Sequence, residues 1–185
     1  MQDESARIEA ASSFDQETLG GIFDEYAPAI YKYLLRLGVG SQEADQAVGD
    51  VFARLLEKLA EGKGPRSNLR SYLFQTAYHL IVDQARDRQR SGPLFAAETV
   101  KVETKPVQAM TEEKMLLERL STAMERDLTD EQRNVIILRF QEDFSLQETA
   151  EIIGKNMNAV KALQNRGINR LRQALSREEG WNNNA

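Results

Sequence analysis

Apolar residues recur at three- and four-residue steps along most of the chain, the spacing that gathers them on one face of an α-helix. Leu19, Ile22, Phe23, Tyr26 and Ile30 form the first such stripe, which continues into Tyr33, Leu34 and Leu37. Ser13 is a candidate N-cap for it, and Pro28 inside it predicts either two helices or one kinked helix. Gly38 to Gly40 ends the stretch. From Ser41, a second stripe of Ala44, Val48, Val51, Phe52, Leu55 and Leu59 predicts a long helix carrying Glu43, Asp45 and Asp50. Those carboxylates favour the positive end of a helix and solvate its outer face. Glu61 to Asn68, EGKGPRSN, has the glycines and proline of a loop, with two cations in it. A third helix is predicted near Leu69–Arg88, with Leu73, Ala77, Leu80, Ile81 and Gln84 on one side and Tyr72, Gln75, His79, Asp83 and Arg86 on the other.

The helical period stops at Ser91 and resumes after Thr111, and the intervening stretch holds two of the four prolines. It reads as a flexible connector, more apolar than a bare spacer requires because of Leu94, Phe95, Val100 and Val102. Met115, Leu116, Leu120, Ala123 and Met124 then mark an amphipathic helix. Leu128 to Leu175 predicts three more. Thr129 with Gln132 has the form of a capping box, and Ser145 with Glu148 repeats it. Leu146, Ala150 and Ile153 follow at helical spacing up to Gly154, the residue best suited to the positive φ that ends a helix. Asn156 and Asn158 are candidate N-caps for a last stripe of Val160, Leu163, Gly167, Leu171 and Leu175. Two helices joined by so short a turn predict a helix-turn-helix. The fold class expected is therefore all-α: two helical domains, at 13–90 and 112–176, joined by a flexible linker at 91–111, the second containing the helix-turn-helix. Residues 1–12 and 177–185 read as loose tails.

Charge sharpens this picture. The chain of 185 residues has a formal net charge of -5, yet Lys155 to Ser176 carries Lys155, Lys161, Arg166, Arg170 and Arg172 and no acidic residue. On the last helix Asn158, Lys161, Ala162, Asn165 and Asn169 fall opposite the apolar stripe, where Asn and Lys suit base edges and Ala suits a thymine methyl in the major groove. Arg166, Arg170 and Arg172 flank that face and suit phosphates. The plain alternative is a solvated basic helix in a bundle. Capping, turn and charge together favour DNA binding. On the Leu69–Arg88 helix an aromatic, Tyr72, beside amides and cations has the make-up of a stacking platform for unpaired bases, against the ordinary alternative that Tyr72 is core and His79 structural.

Composition excludes more than it selects. Without cysteine and with one histidine, no disulfide framework, thiolate metal site or histidine-rich site can form. Gly38-Val39-Gly40 lacks the third glycine of a dinucleotide fingerprint, Gly62-Lys63-Gly64 lacks the spacing of a P-loop, and there is no Gly-x-Ser-x-Gly elbow. No catalytic residue, metal site or cofactor is expected, and the protein does not read as an enzyme. Neither a signal peptide nor a membrane-length apolar run is present, so a cytoplasmic protein is expected.

Taken in order, these patterns resemble the extracytoplasmic-function (ECF) group of bacterial RNA polymerase sigma factors over about Phe14 to Leu175. LTDEQRNVIILRFQEDFSLQETAEIIGKNMNAVKALQNR is similar to the group's second domain, EADQAVGDVFARLLEKL to its polymerase-binding helix, and NLRSYLFQTAYHLIVDQARDRQR to its promoter-melting segment. The resemblance implies a specificity subunit that binds core RNA polymerase, reads the −35 promoter element with its second domain and opens the −10 element with its first. By position it assigns Asp45, Val48, Asp50, Phe52 and Arg54 to the polymerase. It assigns Arg66, Ser67 and Asn68 to a loop cradling a flipped base, Tyr72 and His79 to the adjoining strand-contacting helix, and Asn158, Lys161, Ala162, Asn165 and Arg166 to the −35 element; the reading of the residues themselves adds Arg86 to the −10 set and Arg170 to the −35 set. Gln46, Gly49, Tyr72, His79 and Asn158 depart from the group's usual residues. An anti-sigma protein is the further partner it implies. The competing expectation is a conventional helix-turn-helix regulator that dimerises through the N-terminal helices and binds intact duplex, and a weaker one is a protein-interaction adaptor.

Overall fold

The computed structural model describes residues 2–91 and 112–182, with side chains described at 4–87 and 114–177. Regular structure among them is helical throughout: α1 (Gln2–Ser12), α2 (Gln16–Arg36), α3 (Ser41–Ala60), α4 (Leu69–Ser91), α5 (Glu112–Asp127), α6 (Asp130–Ile136), a π-helical turn (Ile137–Gln141), α7 (Leu146–Ile153) and α8 (Met157–Asn182). The chain divides into two compact units, Met1–Thr99 with Glu151–Gly154 and Val100–Ala150 with Lys155–Ala185. The connector expected at 91–111 lies outside the described residues, apart from Ser91, the last residue of α4.

In the first unit α2, α3 and α4 pack against one another through the stripes visible in the sequence. Ile22, Ile30, Tyr33 and Leu34 of α2 meet Ala44, Val51 and Leu55 of α3 and Leu73, Phe74 and Ala77 of α4, all at most 1% exposed. Tyr33 and Phe74 lie ring to ring at 5.0 Å. Full burial of such side chains stabilises by roughly 1.5–3 kcal/mol each, before the entropy of ordering them is charged against it. Pro28 neither divides nor ends α2. It is exposed, so the carbonyl one turn before it, deprived of its amide partner, can be satisfied by water. The N-cap of α2 is Asp15, not Ser13: Asp15 accepts from the Thr18 N–H at 2.8 Å, and bonds from Thr18 hold its carboxyl below its ordinary value.

Residues expected as a loose tail form α1. Ile8 and Ala11 are buried, at 6% and 3% exposure, as α1 packs on α2 and α3. The Arg7 guanidinium donates to Glu25 at 2.6 Å and lies 5.9 Å from the centre of the Tyr26 ring. Burial pushes the Glu25 carboxyl up, but hydrogen bonds from Arg7 and Tyr26 with the Arg7 charge outweigh it and hold the group below its ordinary value.

The second unit packs α8 against α5 and α6. Its core includes Ala123, Met124, Leu128, Val135, Ile136, Ile137, Leu138, Phe144, Val160, Leu163, Leu171 and Ala174. Only the latter half of α5 shares in it, because Met115 and Leu116 are each 53% exposed. The Thr129–Gln132 capping box is formed, both bonds at 3.3 Å. α6 then widens into the π turn, where the Arg139 guanidinium donates to the Phe144 carbonyl and to the Gln164 side chain of α8. α8 runs on to Asn182, past the frayed tail expected after Ser176; the Trp181 side chain lies outside the described residues.

Candidate nucleic-acid interface

The helix-turn-helix is assembled by local chemistry. Ser145 and Glu148 exchange capping bonds at 2.8 and 3.1 Å at the start of α7. After α7, Gly154 takes φ +66° and the Lys155 N–H returns to the Ala150 carbonyl at 2.9 Å, the geometry of a glycine-terminated helix. Asn156, rather than Asn158, caps α8 by accepting from the Ala159 N–H at 2.9 Å. Val160, Leu163, Gly167 and Leu171 then face the core, which leaves Asn158, Lys161, Ala162, Asn165, Arg166 and Asn169 exposed on the opposite side. This surface offers amides, two cations and one small apolar group. Ser145→Ala is expected to cost about 1 kcal/mol and to lower the thermal midpoint of the full chain, read by circular dichroism; an unchanged midpoint would show that the cap contributes nothing.

Two cations of the basic segment do structural work. Lys155 pairs with Glu131 at 2.8 Å. Arg170, expected at phosphates, donates toward the Asp127 carbonyl at 3.3 Å and the Gln132 side chain at 3.4 Å, tying α8 to the end of α5 and the start of α6. Lys161, Arg166 and Arg172 are the other cations of the segment, all exposed, and Arg172 donates to the Asn169 side chain at 3.3 Å.

In the first unit the loop 61–68 is constrained along its length. Hydrogen bonds from Lys58 and Lys63, at 2.9 and 3.3 Å, hold the Glu61 carboxyl below its ordinary value. Gly64 lies so close to Leu59 that a Cβ would stand 2.5 Å from its Cδ2. Asn68 has φ +53°, a left-handed conformation that asparagine tolerates. Its Oδ1 accepts from the Ser71 N–H at 3.1 Å, so the residue expected in a base cradle also caps α4. Arg66 and Ser67 are exposed. Along α4, Leu73, Ala77 and Leu80 are buried, while Tyr72 is part-exposed and His79 and Arg86 are exposed. The Tyr78 and His79 rings lie 5.8 Å apart. The loop and the outer side of α4 thus form one polar, cationic face with an aromatic in it.

The set that the resemblance assigns to the polymerase divides. Asp45 and Arg54 are exposed on α3 and Asp50 is part-exposed. Val48 and Phe52 are 8% and 9% exposed, and the Phe52 ring lies 4.8 Å from that of Phe23. These two are packing residues, as their place in the apolar stripe predicts. Sequence reasoning missed the Glu4 carboxylate, which accepts from the Leu69 N–H at 3.0 Å and caps α4 from 65 positions away. No local signal could reveal so distant a pair.

The chain matches the family model Sigma-70 region 2 over residues 22–91 and that of Sigma-70 region 4 over residues 126–173. It is 30% identical over 179 residues to the ECF RNA polymerase sigma factor SigX of Bacillus subtilis, covering 89% of this chain and 88% of SigX. It is 26% identical over 175 residues to the ECF RNA polymerase sigma factor BldN of Streptomyces coelicolor, covering 91% of this chain but 64% of BldN. Its fold is similar to that of the sigma factor RpoE crystallised with the anti-sigma factor NepR from Bartonella quintana, with a TM-score of 0.66 at 26% identity over 89% of this chain and 97% of that one. Among the described residues no helix is long and apolar enough to cross a membrane.

Proposed function

The chain belongs to the ECF group of RNA polymerase sigma factors, and on that premise we propose how its two units share the work of initiation. It acts as an alternative sigma factor: it binds core RNA polymerase, directs it to specific promoters and helps to open the −10 element. The observation that carries this reading is the ordered pair of family matches, region 2 over 22–91 on α2–α4 and region 4 over 126–173, from the end of α5 into α8. In the domain at 112–176, α8 enters the major groove of the −35 element, with Asn158, Lys161, Ala162 and Asn165 toward base edges and Arg166 toward phosphate. In the domain at 13–90, Arg66, Ser67 and Asn68 cradle a flipped base while Tyr72, His79 and Arg86 follow the strand, so that pocket contacts offset the few kcal/mol of unstacking. Asp45, Asp50 and Arg54 on the outer side of α3 face the polymerase. Both units are binding surfaces, and the polymerase supplies the catalysis. An anti-sigma protein is the proposed regulatory partner, and the cytoplasm, where core polymerase works, the proposed location.

Runoff transcription from a library of promoter fragments, with core polymerase alone and with this protein added, tests the reading. Transcripts that appear only with the protein, from promoters sharing two spaced elements, are expected. Absence of transcripts and of polymerase binding, with tight binding to intact duplex instead, would identify a conventional helix-turn-helix regulator.

A further inference from the structure

Helix α1 precedes the stretch matched by the region 2 family model, which begins at residue 22, yet it is fastened at three points. Ile8 and Ala11 are buried, Arg7 is paired with Glu25, and Glu4 caps α4 at Leu69, the first residue after the loop 61–68. Between α1 and that loop lies an open cleft of about 400 Å³. Ser5, Glu9 and Ser12 line one wall, Pro65 and Arg66 the other, with Leu59 beside them.

The two walls differ in charge. Of the α1 residues that line the cleft, Glu9 carries the charge, and the cation of the helix, Arg7, is paired with Glu25. The opposite wall has Arg66, exposed. An acidic wall repels phosphate but accepts hydrogen bonds from an uncharged base, so a strand lying here would run its backbone past Arg66 and turn a base toward α1. Leu59 and Pro65 provide apolar surface for the base plane, and the Ser5 hydroxyl and the Glu9 carboxylate provide polar groups for its edge; the Ser12 hydroxyl donates to the Ile8 carbonyl at 2.8 Å and offers an acceptor alone. This division, apolar contact to the face and hydrogen bonds to the edge, is how an unstacked base is read.

We propose that α1 and the loop 61–68 together form the receiving cleft for an unpaired promoter base, α1 supplying the wall that reads the base edge. The inference rests on the assignment of this loop to the −10 element. Glu9 favours a base that presents an exocyclic amine, as carboxylates do with the N4 amine of cytosine, over thymine. Glu4 is a positioning residue: by capping α4 it fixes the end of the loop and the width of the cleft.

Holoenzyme reconstituted from core polymerase and the full chain provides the test. Open-complex formation is measured on promoters carrying each of the four bases, or an abasic site, at each position of the −10 element. Glu9→Gln, an exposed isosteric change, is expected to reduce the preference for an amino-bearing base over thymine at one position by roughly tenfold. Ser12→Leu, which fills the cleft from an exposed position, is expected to slow opening with a base at that position and to leave the abasic promoter unaffected. Glu4→Ala is expected to flatten the preference and Glu4→Gln, which retains an acceptor, to restore it. Arg66→Ala separates the two levels of the proposal. If Arg66→Ala impairs opening while the α1 variants leave the ranking of bases unchanged, the loop assignment stands and the α1 wall is overturned. Equal slowing on every promoter, abasic included, would reduce α1 to a structural brace and likewise overturn it. If neither Arg66→Ala nor any α1 variant alters opening, the loop assignment itself falls.

Discussion

Gly167→Leu is expected to destabilise the second unit by about 1–3 kcal/mol, the usual range for overpacking a closed core, or roughly 5–20 °C in thermal midpoint for a unit of this size. Gly167 is buried on α8, and a Cβ placed there would lie 3.2 Å from Ile136 Cγ1 and 3.4 Å from its Cδ1. Ile136 is itself 6% exposed at the end of α6, so it has little room to retreat. A leucine must therefore separate α8 from α6. The separation also strains the Arg170 bond to Gln132, which joins the same two helices, and its companion to the Asp127 carbonyl at the end of α5. The contrasting change is Gly49→Ala on α3, where a Cβ meets nothing within 4 Å. It is expected to raise stability by about 0.5–1 kcal/mol, because alanine is favoured over glycine inside a helix. Thermal unfolding of the full chain followed by circular dichroism checks both signs. A Gly167→Leu protein as stable as its parent would mean that α6 and α8 do not approach each other this closely.

What the sequence revealed of the fold is what short-range chemistry writes. The caps at Thr129, Ser145 and Asn156 and the stop at Gly154 all join residues within five positions, so the residue types in a short window suffice to identify them. The stripes on α2, α3 and α4 were legible for the same reason, since one helical turn brings each member beside the next. Helix α1 was not. It has two buried apolar residues, Ile8 and Ala11, too few for a period, and its polar anchors reach Glu25 and Leu69. The π turn was hidden by the unbroken apolar run Val135–Leu138, which fits several helical registers, and Arg139 is anchored through Phe144 and Gln164 rather than through its neighbours in the run. At Val48 and Phe52 the residue pattern and the family resemblance disagreed: the stripe placed them in the core, the resemblance on the polymerase. Their burial follows the stripe. Position in a family motif carries over the helix that meets a partner, but which residues of that helix face outward is settled by the packing of this chain.

The exposed face of α8 was legible to a similar depth. Opposition of the α8 stripe to Asn158, Lys161, Ala162, Asn165 and Arg166 follows from helical geometry alone, and all five are exposed. Arg170 has an intramolecular role that the sequence did not show, because the carbonyl of Asp127 and the side chain of Gln132 come beside it only when α8 packs on α5 and α6. Charge in a sequence marks a capacity to bind phosphate; tertiary packing decides which cations spend it inside the protein.

Lys161→Ala and Tyr72→Ala are expected to separate the two halves of promoter recognition. Lys161 is exposed on the outer face of α8, and loss of one major-groove contact costs about 1–3 kcal/mol. The variant holoenzyme is therefore expected to form closed complexes roughly tenfold less well on promoters that depend on the −35 element, and to open those it does form at the parental rate. A base contact predicts relaxed preference at one −35 position, whereas a phosphate contact predicts a uniform loss with the salt slope reduced by about 1. Tyr72 is part-exposed near the start of α4, one helical turn after Asn68, whose carbonyl accepts from its N–H at 3.1 Å. Its ring can support an unstacked base only after the strands part. Removing it is expected to leave closed-complex formation intact and to slow opening about tenfold, within the 1–3 kcal/mol that stacking of a base on an aromatic contributes. Gel-shift titration under conditions that block opening, paired with the kinetics of open-complex formation, reads the two steps apart. If both variants lost closed-complex formation equally, α4 would be a duplex-binding element, and the division of labour between the units would have to be abandoned.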